Sequence, residues 1–287
     1  EAFGDITFVD SSAVVIQTSA ATDADGELLI DGSTDGAVGG NLSITATTGN
    51  ITQGVALTVT GTSAFITSAS DADITLATTT NAFTGAVSLN TTGSGGNAEV
   101  IDASALNLGA STVGGTLSAR AVTGDISNSG NLAITGAATF RTDAAESNIA
   151  LDSSGNVFSS AVTLQADDGS EAFGNITFVD SAAVDFDSSA SANGDLYINA
   201  STDGAVGGNL SVTATTGNIT QNIALAVTGT STFITGADGS NIILGNSGNV
   251  FTAAVTMKAD TGGNEAFGNI TFVDSAAVNL HSSASTG

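Results

Sequence analysis

Residues 38–53 read VGGNLSITATTGNITQ, and nearly the same letters return as VGGTLSARAVTGDISN at 113–128 and VGGNLSVTATTGNITQ at 206–221. Inside the first copy Leu42, Ile44 and Ala46 alternate with Ser43 and Thr45. That period of two is the signature of a strand with one buried face. LTVT from Leu57, ITLA from Ile74, VSLN from Val87 and VTLQ from Val162 repeat it. Thr, Val and Ile suit a pleated surface, and no segment carries a helical period. Gly-Asn or Gly-Asp separates many of these strands, at Gly49-Asn50, Gly124-Asp125, Gly155-Asn156, Gly217-Asn218 and Gly248-Asn249. Both residue types tolerate positive φ, so these pairs predict tight corners.

Two further stretches recur. NAFTGAVSL at 81–89 returns as NVFSSAVTL at 156–164 and NVFTAAVTM at 249–257. EAFGDITFVDSSAV at 1–14 returns as EAFGNITFVDSAAV at 171–184 and again, identically, at 265–278. The copies starting at Val38, Val113 and Val206 lie 75 and then 93 residues apart, so long repeats of two sizes follow one another. The boundaries read 1–98, 99–170, 171–264 and a partial 265–287 in one continuous unit. EVIDASALNLGAS at 99–111 stands where the other repeats carry the EAFG stretch. In a solenoid each coil touches only its neighbours, so a whole coil is the removable unit. Dividing both spacings by a common coil gives about 18 to 19 residues and roughly 15 coils. The predicted fold is all-β, a right-handed parallel β-helix or β-solenoid, about 70 Å long at ~4.8 Å per coil. Phe83, Phe158 and Phe251, like Phe65, Phe140 and Phe233, hold equivalent positions and are expected in its core. DSAAVNLHSSAST at 274–286 restarts DSAAVDFDSSASA of 180–192, which predicts a piece of a longer repetitive chain.

Composition narrows the function. The 287 residues include 28 acids against three cations, Arg120, Arg141 and Lys258, for a formal charge of −25. Nucleic acid and anionic lipid headgroups both need clustered Lys and Arg, so neither is an expected partner. The chain has no run of about eighteen apolar residues, the length that a helix needs to span a bilayer. With no Cys, disulfides and thiol chemistry are excluded. Hydrophobic content of 41% is too high for a disordered chain.

GGNLSITATTGNITQGVALTVTG at 39–61 resembles the repeats of filamentous haemagglutinins and related large exoproteins of two-partner secretion. The likeness runs through most of the chain as a G-x-L-x-[IV]-x-A…G-[ND]-I texture. It implies a right-handed parallel β-helix with coils of similar size, secreted and displayed at the cell surface of a Gram-negative bacterium. The implied role is that of an adhesin or filament. Its partners would be other copies or neighbouring repeats, and host or cell-surface glycans.

Candidate chemistry is sparse. Asp23, Asp25 and Glu27 in TDADGE alternate like the start of a calcium loop, and they are the candidates for weak Ca2+ binding. Distal ligands do not follow in LLIDG, and no other cofactor is expected. Asp71, Asp73, Asp167 and Asp168 read as solvated corner acids, and His281 as a corner residue replaced by Asp187 in the preceding copy. Asn50, Asn175, Asn218 and Asn269 open Asn-x-Thr triplets that a Gly-Asn corner before an Ile-Thr strand generates automatically. One His and three cations do not furnish a triad or the basic cluster of a lyase, so the expectation is a structural or adhesive protein and not an enzyme. The alternative is a carbohydrate-active β-helix enzyme or glycan-binding module.

Overall fold

The computed structural model describes residues 4–17, 27–30, 36–166, 173–200, 202–259 and 268–278. Its strands run two to eight residues and, among the described residues, no helix occurs. The 38–53 stretch forms strand Leu42–Ala46, whose Leu42, Ile44 and Ala46 are buried, then strand Ile51–Gln53 on a second side of the molecule. Thr58–Val59 makes a third side, and Ser63–Ser70 returns beside Leu42–Ala46 with Leu42 opposite Ser63. Every registered pair of strands is parallel, so the fold is a parallel β-helix. A 14-stranded and a 13-stranded sheet form its two long sides, with 3-stranded sheets on the third. A coil with so few residues buries its apolar face only because another coil lies on either side.

Coil length departs from the division by 18 to 19. Register partners mostly lie 21 to 24 residues apart, as in Leu42↔Ser63 and Ser63↔Val87. The path through the larger sheet passes eleven strands, not 15, and spans about 50 Å at ~4.8 Å per rung. The error came from requiring a whole number of coils per repeat. Leu42–Ala46 sits in the larger sheet, its copy Leu117–Ala121 in the 13-stranded one, and Leu210–Ala214 in the larger sheet again. Val38, Val113 and Val206 accordingly belong to three different strand stacks. Each long repeat begins on the long side opposite to the one on which the repeat before it began. Both long sides accept the exchange because both are lined from within by the same alternating Leu, Ile, Val and Ala.

The 18-residue difference between repeats is not a coil either. Val184–Phe186 is followed by Asp195–Asn199 on the same sheet, with Asp185 opposite Asp195. That second strand lies between Val184–Phe186 and Val162–Ala166, so the chain steps back by one rung before going on. Val14–Gln17 and Glu27–Leu29 repeat the excursion in the first copy. In the middle copy Leu106–Leu108 leads within two residues to Ser111–Val113, and the excursion is missing.

Aromatic packing follows the expectation. Phe65 and Phe83 meet edge to face at 6.2 Å, as do Phe140 with Phe158 at 6.0 Å and Phe233 with Phe251 at 6.1 Å. Each such pair contributes about 0.5–1.5 kcal/mol beyond its burial.

Corners work differently from the expectation of positive φ. Neither residue of the five Gly-Asn or Gly-Asp pairs has it. Gly49 is there because a Cβ would come within 2.8 Å of the Ala13 Cβ on the neighbouring rung. Exposed corner Asn and Asp instead hand their side-chain oxygens to the next coil. Asn148 accepts the Asn175 N–H at 2.6 Å, Asn175 the Asn209 N–H, and Asn209 the Thr230 N–H, both at 2.8 Å. Asn156 and Asn249 are not corner residues at all: with Asn81 they are fully buried. Asn81 accepts the Leu57 N–H at 2.9 Å and a Gln53 amide hydrogen at 2.8 Å, and donates to Gln53, Leu76 and Ile101. Asn249 repeats the pattern with Leu225 and Gln221.

Two variants should separate satisfied from unsatisfied buried groups. Ser63 and Ser231 are buried with hydroxyls that meet no partner, and the equivalent Ala138 lacks the hydroxyl. Since a buried unpaired hydroxyl costs about 1–3 kcal/mol, Ser63→Ala with Ser231→Ala should raise stability in urea unfolding by on the order of 1 kcal/mol or more. Asn81→Ala leaves the Leu57 N–H without its acceptor in the core and removes the amide bonds to Gln53, Leu76 and Ile101, and should lower stability by about 2–4 kcal/mol.

Candidate functional site

Most of the chain's distinctive chemistry lies on the outer face of the 13-stranded sheet. There the residues between the inward Leu, Ile and Ala form columns along the rod. One column runs Glu99, Ser118, Thr139, Thr163, Tyr197, and its neighbour runs Ile101, Arg120, Arg141, Gln165, Asn199. Arg120 and Arg141 therefore stand on adjacent rungs, and both bond Asp143, Arg141 through Nε at 2.7 Å. Burial works to raise the Asp143 carboxyl, but hydrogen bonds and charge from the two guanidiniums prevail and hold it below the usual carboxylate range. The single Tyr of the chain, Tyr197, donates its hydroxyl to Asp203 at 3.0 Å. Burial first, and then Asp203, raises that phenol.

Beyond Tyr197 the excursion gathers three acids. Asp185, Asp187 and Asp195 bring a carboxylate oxygen each within 4.8 Å of the others. Strand pairing accounts for it, since Asp185 and Asp187 alternate outward on one strand and Asp195 opens the strand beside it. Asn222 donates to both Asp185 and Asp187 at 2.9 Å, and Thr220 to Asp185 at 2.8 Å. Asp195 accepts the Ser191 and Ala192 N–H groups at 3.0 and 2.6 Å. The Asn222 amide is the main reason the Asp187 carboxyl is lowered. Calcium takes six to eight oxygens. The three acids offer at most six, and protein donors already bind five of these, so hydrogen bonds tie the excursion together.

Asp23 and Asp25 lie outside the described residues, as do Asp167, Asp168 and His281. Glu27 is described and accepts a hydrogen bond from Gln17 at 2.7 Å. Gln17 and Glu27 hold the places of Asp187 and Asp195, so aligning VVIQ (14–17) with VDFD (184–187) carried the signal for the acid trio. Asp73 is a corner acid that accepts the Asn97 N–H at 2.9 Å. Asp71 accepts the Gly95 N–H at 2.7 Å with a φ of 63°. Among the Asn-x-Thr triplets, Asn50, Asn175 and Asn218 spend their side-chain oxygens on the corner columns.

A family described as "Repeats of unknown function (DUF5649)" matches residues 4–90, 95–165 and 173–258. The chain belongs to this family. No curated protein and no solved structure matches it. The repeats of unknown function thus have a fold, and the equivalent acids of successive copies show how position in the stack sets their chemistry. Asp102 and Asp180 end equivalent strands and are buried, each accepting a Phe N–H from the preceding coil. Burial pushes both carboxyls up. Asp10, at the same place in the first described coil, is solvated, and the Ser12 N–H and hydroxyl lower it.

These directions fix the pH response. A raised carboxyl favours the fold below the ordinary carboxylate pKa, near 3.8, and loses that contribution as pH rises through its folded value. A lowered one favours the fold above the ordinary value and loses its contribution as pH falls through the folded value. Carboxyl-carbon NMR titration should place the Asp102 and Asp180 midpoints above those of Asp143 and Asp187. Asp102→Ala should then cost more stability at pH 4 than at pH 7.

Proposed function

We propose that the protein is a structural or adhesive rod, secreted and displayed at the surface of a Gram-negative cell. In this reading it works as a stiff extracellular spacer that meets other copies and surface glycans through an outer face of Ser, Thr, Asn and Asp. The observation that carries it is the uninterrupted stacking from the strand Ile6–Asp10 to the strand Val255–Ala259 in one sheet. Such an axis sets length by adding rungs, each repeating the same ladder hydrogen bonds and apolar contacts, so a longer chain of these repeats becomes a longer rod at similar stability per coil. A charge of −25 keeps crowded rods soluble and apart. The resemblance to filamentous haemagglutinin repeats points the same way, towards secretion and adhesion.

Two measurements test the reading separately. Small-angle scattering and negative-stain microscopy of the 287-residue chain should give rods about 50 Å long at ~4.8 Å per rung, and chains with added repeats should lengthen in proportion. A glycan array should show binding that survives mutation of any single outer acid. Globular particles of constant size would end the rod reading, and glycan turnover in the same samples would move the protein to the enzymes.

A further inference from the structure

The two arginines raise a question that the rod alone does not answer. Like charges directly opposite on neighbouring strands destabilise a sheet, yet Arg120 and Arg141 are register partners. They account for two of only three cations in the chain, and they share one carboxylate, Asp143. Arg141 is the more exposed of the two, at 35% against 30% of the side chain, on a face whose next polar cluster is acidic. Arg141 reaches Asp143 through Nε alone, with 35% of its side chain exposed, and its two terminal amino groups meet no acceptor among the described residues. A guanidinium edge with both amino groups available matches a planar carboxylate with two parallel hydrogen bonds.

We propose that this face binds a carboxylate-bearing polysaccharide laid along the rod axis, with a uronate carboxylate on Arg141 and a neutral sugar ring at Tyr197. The proposal rests on the glycan-contacting rod above and names the glycan class and the face. Tyr197 lies two rungs from Arg141, about 10 Å at ~4.8 Å per rung, which is the reach of a disaccharide. On the rung between them Thr163 and Gln165 offer hydroxyl and amide groups on the same surface, and Thr139 adds a hydroxyl beside Arg141. The Tyr197 hydroxyl is anchored by Asp203, and an aromatic ring held at an exposed surface suits the apolar face of a sugar. Past Tyr197, Asp187 accepts hydrogen bonds and would receive sugar hydroxyls while repelling a second carboxylate. The face is therefore polar along its length: a cation for the acid group at one end, acceptors for a neutral residue at the other. Alternating uronate and neutral sugars fit that order, whereas a densely charged polyanion meets the acids beyond Tyr197.

Calorimetric titration of the full chain with a hyaluronan octasaccharide, dextran and dextran sulfate tests the assignment. The octasaccharide should bind and dextran should not. Arg141→Gln and Tyr197→Ala should each weaken octasaccharide binding at least tenfold, with thermal melting used to confirm that both variants fold. Thr232→Ala, on the other long sheet, should leave it unchanged, and Gln165→Ala should weaken it with no ion pair disturbed. Octasaccharide binding unaffected by Arg141→Gln, Gln165→Ala and Tyr197→Ala would overturn the face assignment while leaving a glycan-binding rod standing. Stronger binding of dextran sulfate, lost in salt, would replace it by plain electrostatics. An absence of octasaccharide binding would overturn it outright, with the scattering test of the rod unaffected.

Discussion

Parallel stacking at a fixed spacing governs the rest of this protein. When every strand lies in register on its equivalent, a residue's neighbour above and below is set by the fold and recurs down the length of the molecule. A favourable choice is then multiplied and an unfavourable one is multiplied as well. The corner columns show the favourable case. An Asn or Asp oxygen that takes an N–H from the next coil, as Asn148, Asn175 and Asn209 do in turn, ties successive coils together where the sheets themselves are interrupted. The buried asparagines do the same inside, joining three rungs through Asn81 with bonds to Leu57, Leu76 and Ile101. A low-dielectric interior strengthens such a network when every member is paired.

The same constraint explains why equivalent residues differ in ionisation. Asp102 and Asp180 share a local motif, and each lies beneath a preceding coil that buries it and raises its carboxyl, whereas the Ser12 N–H and hydroxyl lower Asp10. Sequence identity specifies the strand, and the stack around it specifies the chemistry. The acid trio is a further instance, since Asp185 and Asp187 meet Asp195 only because the chain steps back one rung.

Much of the architecture was legible in the letters. Alternation at 42–46, the absence of any helical period and the recurrence of whole stretches together define a parallel β-helix, and the phenylalanines fall in its core as their positions suggest. Coil length was not legible, because the arithmetic presupposed that successive repeats open on the same side. Two sheets with interchangeable linings release the chain from that condition, and composition alone does not reveal it. Gly-Asn pairs were read as positive-φ corners, whereas close approach of adjacent backbones and side-chain acceptors account for them. The candidate site was barely visible. Arg120 and Arg141 stand 21 positions apart and become neighbours only through the true coil length, and Asp185, Asp187 and Asp195 come together only through a strand pairing that sequence spacing does not show.

Interchange of the two long sides has a geometric outcome for any extended array of these repeats. The fourteen residues that begin EAFG place their Ile-Thr-Phe strand in the larger sheet at 6–10 and 176–180 but in the other sheet at 270–272. Ornament carried by one stretch of sequence thus emerges on antipodal flanks of the shaft as the copies succeed one another. A fibre wound in this way has no single decorated side, and neighbouring fibres lying to its left and right meet the same lettering.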